Sequence, residues 1–422
     1  MHPDSYYVAT AKGMQEHPPL QEAVRADVCV IGAGFTGLSA ALNLAEQGMD
    51  VVLLEAERVG FGASGRNGGL IGSGQRKDAL EMEAHFGYER SRRLWDLAEA
   101  AKTEIRERIE KHSIPCDLHD GQLLGIHKAS YRGWAAEYAA ALAERYGYPH
   151  CRALSAEESR ELVATDKFLE ALYDDQAMSL HPLNYALGLA RAGQQAGVRV
   201  YENSRVVSYS RTDPAIVKTD AGQVEASFIV LACNGYLGKL ERRVAGKIMP
   251  INNFTVATEP LGRARAHELI AGRFGVHDTR FVVNYFRLSD DDRLLFGGGE
   301  NYRPGFPADI ARFVRPYMLD MFPQLHDVGI DYAWGGTLSV TVNRLPHVGR
   351  LPPNLFFAQG YSGHGVSTAN FAGKVLAEAI CGTSDRFEVF ADLPTYTFPG
   401  GTLFRYPGMV LGMLYFSLKD RL

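Results

Sequence analysis

Three glycines and one carboxylate near the start of the chain have the types and spacing of a nucleotide-binding unit. Gly32, Gly34 and Gly37 follow the apolar run 28–31 at G-x-G-x-x-G spacing, and Glu55 lies eighteen residues beyond Gly37. The first glycine allows a tight turn, the second lets a pyrophosphate approach the backbone, and the third lets a helix lie close to the strands. Glu55 would accept hydrogen bonds from ribose hydroxyls, which disfavours a ligand with a 2′-phosphate.

Hydrophobic spacing predicts the elements that position these residues. The run 28–31 reads as a strand, 38–45 has helical periodicity, and the apolar run 51–54 is a second strand that leads to Glu55. The first N–H groups of the helix and its dipole would bind phosphates. Strand, helix, second strand and terminal acid together predict a dinucleotide site, against the alternative of a glycine-rich turn in an unrelated α/β protein.

A second glycine-rich segment, 57–78, follows directly. It contains seven glycines, with Arg66 and Asn67 between them. We interpret it as backbone wrapped around a flat or anionic ligand, with Arg66 near the pyrophosphate, and with Ser64 and the glycine amides donating to a phosphate or a ring system. The alternative is a flexible linker, which seldom carries an Arg-Asn pair directly after a nucleotide-binding unit.

Composition is that of an ordinary globular protein. The 422 residues suffice for two or three domains, and the net charge is −5. No basic run interleaved with aromatic residues supports binding to nucleic acid, and no metal site is predicted. The five cysteines are scattered without a C-x-x-C pair, and the first residues do not resemble a signal peptide, so we expect reduced thiols and a cytoplasmic protein.

No segment is predicted to span a membrane. The apolar run 409–418 is much shorter than the ~20 residues that a span requires, and we expect it to pack as a terminal amphipathic helix. Residues 1–26 are polar and contain three prolines, so they are expected to form an extended arm over the surface.

The order of patterns along the chain predicts a nucleotide-binding domain in several pieces. The apolar run 228–236 ends in Asn-Gly-Tyr and is expected to be a buried parallel strand whose carboxyl end meets the ligand. The predicted fold class is α/β plus α+β, with a Rossmann-like domain interrupted by a substrate domain that has a mixed or antiparallel sheet. The predicted bounds are 20–80, 150–235 and 345–385 for the first domain, 81–149 and 236–344 for the second, 1–19 for an N-terminal arm and 386–422 for a C-terminal extension.

Strand-like alternation over 248–300 supplies the predicted substrate wall. Residues 290–292 would turn a hairpin between two of its strands. Inward positions and aromatic candidates for this wall are Asn253, Phe254, Thr255, Tyr285, Arg287 and Trp334. Arg287 either faces a substrate carboxylate or lies on the polar surface of a strand.

Several stretches together resemble a superfamily of flavoproteins. VCVIGAGFTG with Glu55, GFGASGRNGG, VLACNGY, the ATEP strand and GYSGHGVSTANFAGKVLAE are similar to the D-amino acid oxidase and sarcosine oxidase superfamily. SYYVATA near the start, YFRLSDDDRLLFGGG and the closing LPTYTFPGGTLFRYP resemble its γ-glutamylputrescine oxidoreductase subgroup. That subgroup also includes oxidases of cyclic imino acids such as pipecolate.

The resemblance implies FAD as the cofactor. The residues implied to hold it are Gly32, Gly34, Phe35, Thr36, Gly37, Glu55, Ala56, Gly62, Ala63, Ser64, Arg66, Asn67, Gly68, Gly69, Val206, Ala232, Gly235, Gly360, Ser362, Gly363, His364, Gly365 and Val366. The implied catalytic residues are His364, Arg287 and Tyr285, and the implied substrate contacts are Tyr285, Arg287, Phe254 and Trp334. SGHG precedes the final helix, so its amides and dipole can stabilise negative charge at flavin N1–C2=O. His364 adds a donor there if it faces the ring, and is otherwise a helix cap.

Two departures from the sarcosine oxidase pattern bear on chemistry. Those enzymes tether the flavin through a cysteine in the segment corresponding to 334–341, which has none here, so the FAD is expected to be noncovalent. They also carry one lysine on the strand corresponding to 293–296 and another after the SGHG-like turn, where this chain has Leu294, Leu295 and Ser367. Rapid reaction with oxygen and sarcosine-like binding of a carboxylate are therefore not predicted.

The implied activity is oxidation of the C–N bond of an amine or amino acid. A neutral amine would pass a hydride to flavin N5, the imine would hydrolyse, and oxygen or another acceptor would reoxidise the flavin, with no general base nominated. γ-Glutamylputrescine is the first candidate substrate, and a cyclic imino acid such as L-pipecolate or proline is the alternative. Rivals from another class are a membrane-associated flavoprotein dehydrogenase and a non-catalytic flavoprotein subunit. A nicotinamide-dependent dehydrogenase would share the first unit but needs neither the second glycine-rich segment nor the SGHG turn.

Overall fold

The strands of the protein form two sheets. The structure is a computed structural model that describes residues 1–299, 301, 305–402, 405, 407, 408 and 410. The strands in these ranges are β1 (Ala23–Ile31), β2 (Val51–Leu54), β3 (Leu70–Ile71), β4 (His119–Ile126), β5 (Cys151–Ser155), β6 (Glu170–Ser179), β7 (Arg199–Tyr201), β8 (Val206–Tyr209), β9 (Ala215–Thr219), β10 (Gln223–Leu231), β11 (Met249–Thr258), β12 (Gly275–Asp278), β13 (Tyr285–Leu288), β14 (Leu294–Gly297), β15 (Ile330–Val340), β16 (His347–Leu351) and β17 (Leu355–Gln359).

Helices pack against both sheets. Those in the described ranges are α1 (Tyr6–Ala9), α2 (Phe35–Glu46), α3 (Ala79–Phe86), α4 (Tyr88–Lys111), α5 (Trp134–Tyr146), α6 (Ala156–Leu162), α7 (Pro182–Gln195), α8 (Arg242–Ala245), α9 (Arg263–Leu269), α10 (Ile310–Met321), α11 (Gly365–Ile380) and α12 (Asp385–Ala391). Within the same ranges, no helix combines the length and apolarity that crossing a membrane requires. The helix predicted at 409–418 lies outside the described residues, except for position 410.

The first sheet is built around β1. It pairs in parallel with β2 and β10, which in turn pair in parallel with β7 and β17. β16 closes one edge in the antiparallel sense, and the β8–β9 hairpin also joins β10. The carboxyl ends of the parallel strands therefore meet along one edge, which is where ligands bind in open α/β sheets.

Successive residues of β1 enter different cores. Val28 and Val30 pack with residues of α2, α7 and α11, whereas Cys29 and Ile31 pack on the opposite face with the β8–β9 layer. Because both faces are covered, β1 is apolar at successive positions. Gly37 lets α2 approach the strand, since a Cβ atom there would overlap the carbonyl oxygen of Gly32. The predicted strand–helix–strand unit is confirmed.

The second sheet is mixed, as predicted. Its order is β15-β11-β14-β13-β12-β4-β6-β3, with β5 also paired to β6. Its pairings are antiparallel except for β12 with β4. Helix α10 covers one face, where Val314 and Met318 share a core with Phe254 and Phe286. On the other face, α5 packs over β5 and β6, and residues of β4, β11 and β15 line a cavity.

Three strands belong to a different sheet from the one predicted. The sequence assigned 20–80 and 150–235 to the nucleotide-binding part, but β3, β5 and β6 belong to the second sheet, where β6 pairs with β3, β4 and β5. Alternation along a strand indicates which face is buried but not which strand is its neighbour, so the sequence could not reveal this. The helical periodicity over 81–111 predicts one long helix, but the structure has two, because Gly87 adopts φ +76° and separates α3 from α4.

The start of the chain is not an extended surface arm, which corrects the prediction. Tyr7 is fully buried, and Ser5 caps the short helix α1. The hydroxyl of Tyr6 donates to Asp291 at 2.6 Å in the β13–β14 turn, and the amide of Lys12 donates to Asn184 at 2.7 Å in α7. The arm therefore connects the second sheet to a helix that packs on the first.

Candidate active site

A cavity of about 1270 Å³ is bounded by strands of the second sheet and by segments that follow strands of the first sheet. Its walls come from the start of α2, the segment 63–81, strands β4, β11 and β15, and the turn before α11. Single drug-sized ligands occupy cavities of ~300–1,000 Å³. This cavity therefore has room for a large ligand together with a second molecule.

The start of α2 forms one end of the cavity. Gly34 takes the cap position without a side chain, and a Cβ atom there would lie 2.9 Å from the Ser64 hydroxyl oxygen. That oxygen accepts a hydrogen bond from the Phe35 amide at 2.9 Å. The next amides, of Thr36 and Gly37, have no acceptor within the helix because they belong to its first turn. The arrangement is suited to an anion such as a pyrophosphate.

Glu55 lies at the end of β2, next to the glycine-rich turn. Its carboxylate accepts hydrogen bonds from the amides of Ala33 at 2.7 Å and Glu57 at 2.9 Å. Burial raises the pKa of Glu55, while these two amides act in the opposite direction. Each carboxylate oxygen retains a second lone pair, so the group can still accept from a ribose hydroxyl.

Arg66 and Asn67 stabilise the loop between β2 and β3. The Arg66 side chain donates from Nε to the Phe61 carbonyl at 2.6 Å and from Nη1 to the Gly335 carbonyl at 3.0 Å. The Asn67 amide donates to the carbonyl oxygens of Ala63 and Ser64 at 2.9 and 3.0 Å. Both side chains also line the cavity. Burial lowers the pKa of Arg66.

A second helix start faces the cavity at α11. The turn before it contains positive φ angles at Gly360 (+76°), Ser362 (+54°) and Gly363 (+89°). Gly365 and Val366, in the first helical turn, line the cavity with the cap residue His364. Two helix N-termini, α2 and α11, therefore direct their positive dipole ends towards one space.

His364 is a neutral imidazole in this site. Its Nε2 lies 3.1 Å from the Gly74 carbonyl oxygen. Burial, and secondarily the charge of Arg76, lowers the pKa of His364 to about 4. A carbonyl can only accept, so Nε2 carries the proton at neutral pH and Nδ1 has a free lone pair. The imidazole therefore connects the turn before α11 to the segment that follows β3.

Arg76 lines the cavity, although no motif of the sequence points to it. Its Nε donates to the Ser362 carbonyl oxygen at 3.2 Å. Burial, and then repulsion from Arg344, lowers the pKa of Arg76 to about 10, so the guanidinium is charged at neutral pH. Its position at the end of the second glycine-rich segment could have indicated that it lies near the ligand. Gln122 of β4 also lines the cavity, and the sequence did not predict it as a site residue.

Tyr285 forms part of the wall, as predicted. Its ring lies against Gly68, where a Cβ atom would be 2.6 Å from the ring. Its hydroxyl donates to the Asn253 side-chain oxygen and lies 2.9 Å from the Thr255 hydroxyl. Burial raises the pKa of Tyr285. The phenol is therefore neutral and fixed, and it is not suited to exchange protons with a substrate at neutral pH.

The other three predicted substrate contacts, Phe254, Arg287 and Trp334, do not line the cavity as the described residues define it. Phe254 is fully buried against Phe306 and Phe313 under α10. Alternation along β11 instead directs Met249, Ile251 and Asn253 to the cavity. The prediction placed Phe254 on the ligand face of the sheet, which is wrong. The face that α10 covers is aromatic too, so an aromatic side chain does not identify the ligand face.

Arg287 and Trp334 lie beyond the cavity, beneath the loop of Arg66. The Arg287 guanidinium is 3% exposed and donates to the carbonyl oxygens of Gly68 and Leu180, both at 3.0 Å. The Trp334 indole donates to the carbonyl oxygen of Arg66 at 3.0 Å. Both side chains donate hydrogen bonds to backbone carbonyls. Arg287 therefore neither lies on the polar surface of a strand nor faces the cavity, and Trp334 does not face the cavity either.

Comparison with known proteins identifies the family. The model of the family described as DAO, FAD dependent oxidoreductase, matches residues 27–379. The chain belongs to the DAO family of FAD-dependent oxidoreductases. The predicted family and cofactor are thereby confirmed.

Two curated relatives of this DAO-family chain match it over its whole length. It is 42% identical over 430 residues to gamma-glutamylputrescine oxidoreductase of Escherichia coli strain K12, covering 100% of this chain and 99% of the relative. It is 40% identical over 419 residues to the probable oxidoreductase OrdL of Rhizobium meliloti strain 1021, with coverages of 99% and 97%.

Solved structures confirm the predicted fold class. Glycine oxidase from Geobacillus kaustophilus superposes with a TM-score of 0.70 at 20% identity, covering 85% of this chain and 95% of that structure. L-proline dehydrogenase from P. horikoshii gives a TM-score of 0.71 at 20% identity, with coverages of 88% and 98%. At this identity the likeness concerns the fold.

The residues present fit FAD. Those that the sequence selected and that line the cavity are Gly34, Phe35, Thr36, Ala63, Ser64, Arg66, Asn67, Gly68, Ala232, Ser362, Gly363, His364, Gly365 and Val366. The selected residues that are not part of this lining, within the described chain, are Gly32, Gly37, Glu55, Ala56, Gly62, Gly69, Val206, Gly235 and Gly360. The side-chain-free cradle at Gly34 and the two helix N-termini are suited to a long, anionic dinucleotide. Contacts of individual residues with FAD stay predictions.

Proposed function

We propose that this DAO-family protein is an amine oxidase or dehydrogenase that oxidises the primary amine of γ-glutamylputrescine. The observation that carries the proposal is the single cavity that runs from the nucleotide cradle at Gly34, past the α11 N-terminus, to the wall formed by Asn253 and Tyr285. The end-to-end identity of 42% to an enzyme named for this substrate supports it. No observation favours a cyclic imino acid, which serves as a comparator below.

The chain would hold FAD between the two helix N-termini that face the cavity. The first turn of α2, with Ser64 and Glu55, would bind the ADP half, and the turn 360–366 would hold the flavin. When bound, FAD supplies the two-electron acceptor that oxidation of a C–N bond requires. Among the cysteines of the described chain, Cys151 is the one that lines the cavity, and it lies on β5 away from both helix N-termini. We therefore propose noncovalent binding.

The turn before α11 would favour the reduced state of the cofactor. The α11 dipole and the charged Arg76, whose Nε bonds the Ser362 carbonyl, bring positive potential to this turn. His364 does not add a charge, because its lowered pKa of about 4 keeps it neutral above pH 5. Its role is to position the turn through its bond to Gly74.

The substrate side of the cavity would select a neutral amine. Tyr285 is neutral and its proton is directed to Asn253, so it does not take the amine proton. A buried cationic amine near Arg76 is disfavoured by desolvation and by repulsion, both of which lower the amine pKa. The amine therefore loses its proton to water, and activity should rise with pH on the alkaline side of neutrality.

Substrate comparison tests the proposal. We would measure kcat/KM for γ-glutamylputrescine, putrescine, L-pipecolate, L-proline and sarcosine, once with oxygen and once with an artificial electron acceptor. We expect γ-glutamylputrescine to exceed each other compound by at least tenfold, with an aldehyde and ammonia as products. A higher value for L-pipecolate or L-proline would overturn the assignment. The two arms also separate oxidase from dehydrogenase behaviour. A cytoplasmic location stays a prediction based on the scattered cysteines.

A further inference from the structure

A long side lobe of the cavity follows strand β4. Gln122, Leu124 and Ile126 alternate along this strand and all line the cavity. Strands rise about 3.3 Å per residue, so this row is roughly 13 Å long. Its Gln122 end lies at the flavin side, because a Cβ atom on Gly72 would be 3.1 Å from Gln122 Oε1 and 3.4 Å from His364 Cε1. The lobe therefore extends well beyond the reaction centre.

Helix α5 adjoins this row, because Leu124 packs against the cluster that contains Tyr138, Leu142 and Leu172. Trp134, Tyr138 and Leu142 have i, i+4, i+8 spacing and line the cavity together. The rings of Trp134 and Tyr138 stack with centroids 4.7 Å apart. Leu172 pairs with Leu124 across the sheet and adds to the floor. The walls of the middle of the lobe are thus aromatic and aliphatic, which suits a chain of methylene groups.

Charged side chains of both signs line the cavity where α3 begins. Lys77 forms an ion pair with Glu81 at 2.5 Å, and Asp78 caps the helix by accepting from the Glu81 amide at 2.7 Å. Lys128, two residues beyond the end of β4, also lines the cavity. The Ala79 amide, in the first turn of α3, donates to the Tyr138 hydroxyl at 3.1 Å, so these charges lie beside the α5 wall of the lobe. A ligand group that carries both an ammonium and a carboxylate finds complementary charges here.

We infer that this β4–α5 lobe holds the non-reacting half of an elongated amine, with an aliphatic chain along Leu124 and Tyr138 and an amino-acid head at Lys77 and Glu81. The inference rests on the proposed function, which it makes more specific. In γ-glutamylputrescine nine bonds separate the reacting nitrogen from the α-carbon of the head. Extended chain spans 3.3–3.6 Å per three bonds, so this is roughly 10 Å, close to the length of the β4 row. Sarcosine and proline would leave the lobe empty.

Binding of a non-oxidisable probe tests the lobe directly. γ-Glutamylbutylamide has the aliphatic chain and head of the substrate but lacks the reacting amine, and N-butylacetamide keeps the butyl chain and the amide but lacks the head. We would titrate the FAD-loaded enzyme with each by calorimetry. We expect the first to bind at least tenfold more tightly than the second. Equal affinity would overturn the inference.

A blocking variant locates the binding. Leu124→Trp would fill the middle of the lobe, so we expect at least a tenfold weaker affinity for γ-glutamylbutylamide at unchanged FAD content. Unchanged affinity would overturn the inference. If γ-glutamylputrescine is oxidised but Leu124→Trp does not weaken the probe, the lobe assignment fails while the proposed function stands. If the probe behaves as expected but γ-glutamylputrescine does not reduce the flavin, the proposed function fails and the lobe assignment stands.

Variants at the charged end keep the test decisive if Leu124→Trp does not fold. Lys77→Met and Glu81→Gln each remove one member of a partly exposed i, i+4 pair, and each should weaken the probe at least fivefold. Arg92→Met is the matched control, because Arg92 and Asp96 form an exposed i, i+4 pair of the same kind on α4. Equal effects of Lys77→Met and Arg92→Met would contradict the inference.

Discussion

A Cβ atom on Gly68 would lie 2.6 Å from the ring of Tyr285. The glycine-rich loop after β2 and strand β13 of the second sheet therefore meet without a side chain between them. The Tyr285 hydroxyl is fixed from the other side by Asn253 and Thr255. The nucleotide cradle and the substrate wall are in this way positioned by one contact.

Gly68→Ala should disturb both parts of the site. The methyl group forces the ring or the loop to move, and overpacking of this kind costs about 1–3 kcal/mol. We expect a lower flavin-to-protein absorbance ratio and a lower Tm. The control is Gly193→Ala in α7, where a Cβ atom would make an ordinary 3.5 Å contact with Val198. Full flavin content in Gly68→Ala would show that the ring is free to shift.

Glu55→Ala should weaken binding of FAD. The carboxylate accepts from two backbone amides and is positioned to accept from ribose, and hydrogen bonds to a charged group contribute roughly 1.5–3 kcal/mol. We expect the Kd for FAD, measured by titrating apoprotein and following flavin fluorescence, to rise about tenfold or more. Glu57→Gln is the control, since its side chain pairs with Arg205 at the surface. An unchanged Kd in Glu55→Ala would place the ribose elsewhere.

Arg287 and Arg76 should give opposite results. Arg287→Met removes buried bonds to the carbonyls of Gly68 and Leu180, so we expect a loss of stability of about 1–3 kcal/mol and similar activity losses on every amine. Arg76→Met removes a single bond, to the Ser362 carbonyl, so it should lower Tm less than Arg287→Met does but slow flavin reduction at least tenfold. A rise in KM for carboxylated amines alone in Arg287→Met would restore that arginine to the substrate site.

The cap of α7 should make the fold sensitive to acid. His181 Nδ1 accepts from the Asn184 amide at 3.1 Å, and Nε2 lies 3.0 Å from the Thr10 hydroxyl. Burial, with repulsion from Arg287, lowers the pKa of His181 to about 3. The unfolded chain, with a histidine pKa near 6.5, binds the proton more readily, so stability falls as pH drops from about 6.5 towards 3.

Denaturant unfolding at pH 7 and pH 5 measures this effect. His181→Asn keeps a capping side chain without a titrating group, so its loss of stability between the two pH values should be about 1–2 kcal/mol smaller than that of the unmodified chain. His326→Asn, at an exposed position, should behave like the unmodified chain. An equal loss in His181→Asn would exclude His181 as the source.

Local patterns allowed much of this site to be predicted. The spacing of Gly32, Gly34 and Gly37 places a helix start at a strand end, and SGHG before a helical pattern places another. Such features depend on neighbours in sequence, which a single chain displays. These local features correctly predicted the residues of the nucleotide cradle that line the cavity.

Features that depend on packing between distant segments could not be predicted. Phe254 and Asn253 are adjacent, and only the position of α10 decides which one faces the ligand. Arg287 has the parity of Tyr285 but ends beneath backbone carbonyls of other segments. The row of Trp134, Tyr138 and Leu142 on α5 has the spacing of an ordinary core stripe. Only the packing of α5 beside β4 brings this row to the cavity.

Absorbance of the bound flavin during anaerobic mixing with γ-glutamylputrescine tests the central claim most directly. The account predicts a yellow protein whose visible flavin band bleaches rapidly with this amine and at least tenfold more slowly with L-proline or sarcosine. A band that stays unchanged with γ-glutamylputrescine, or that bleaches as fast with L-proline, would contradict it.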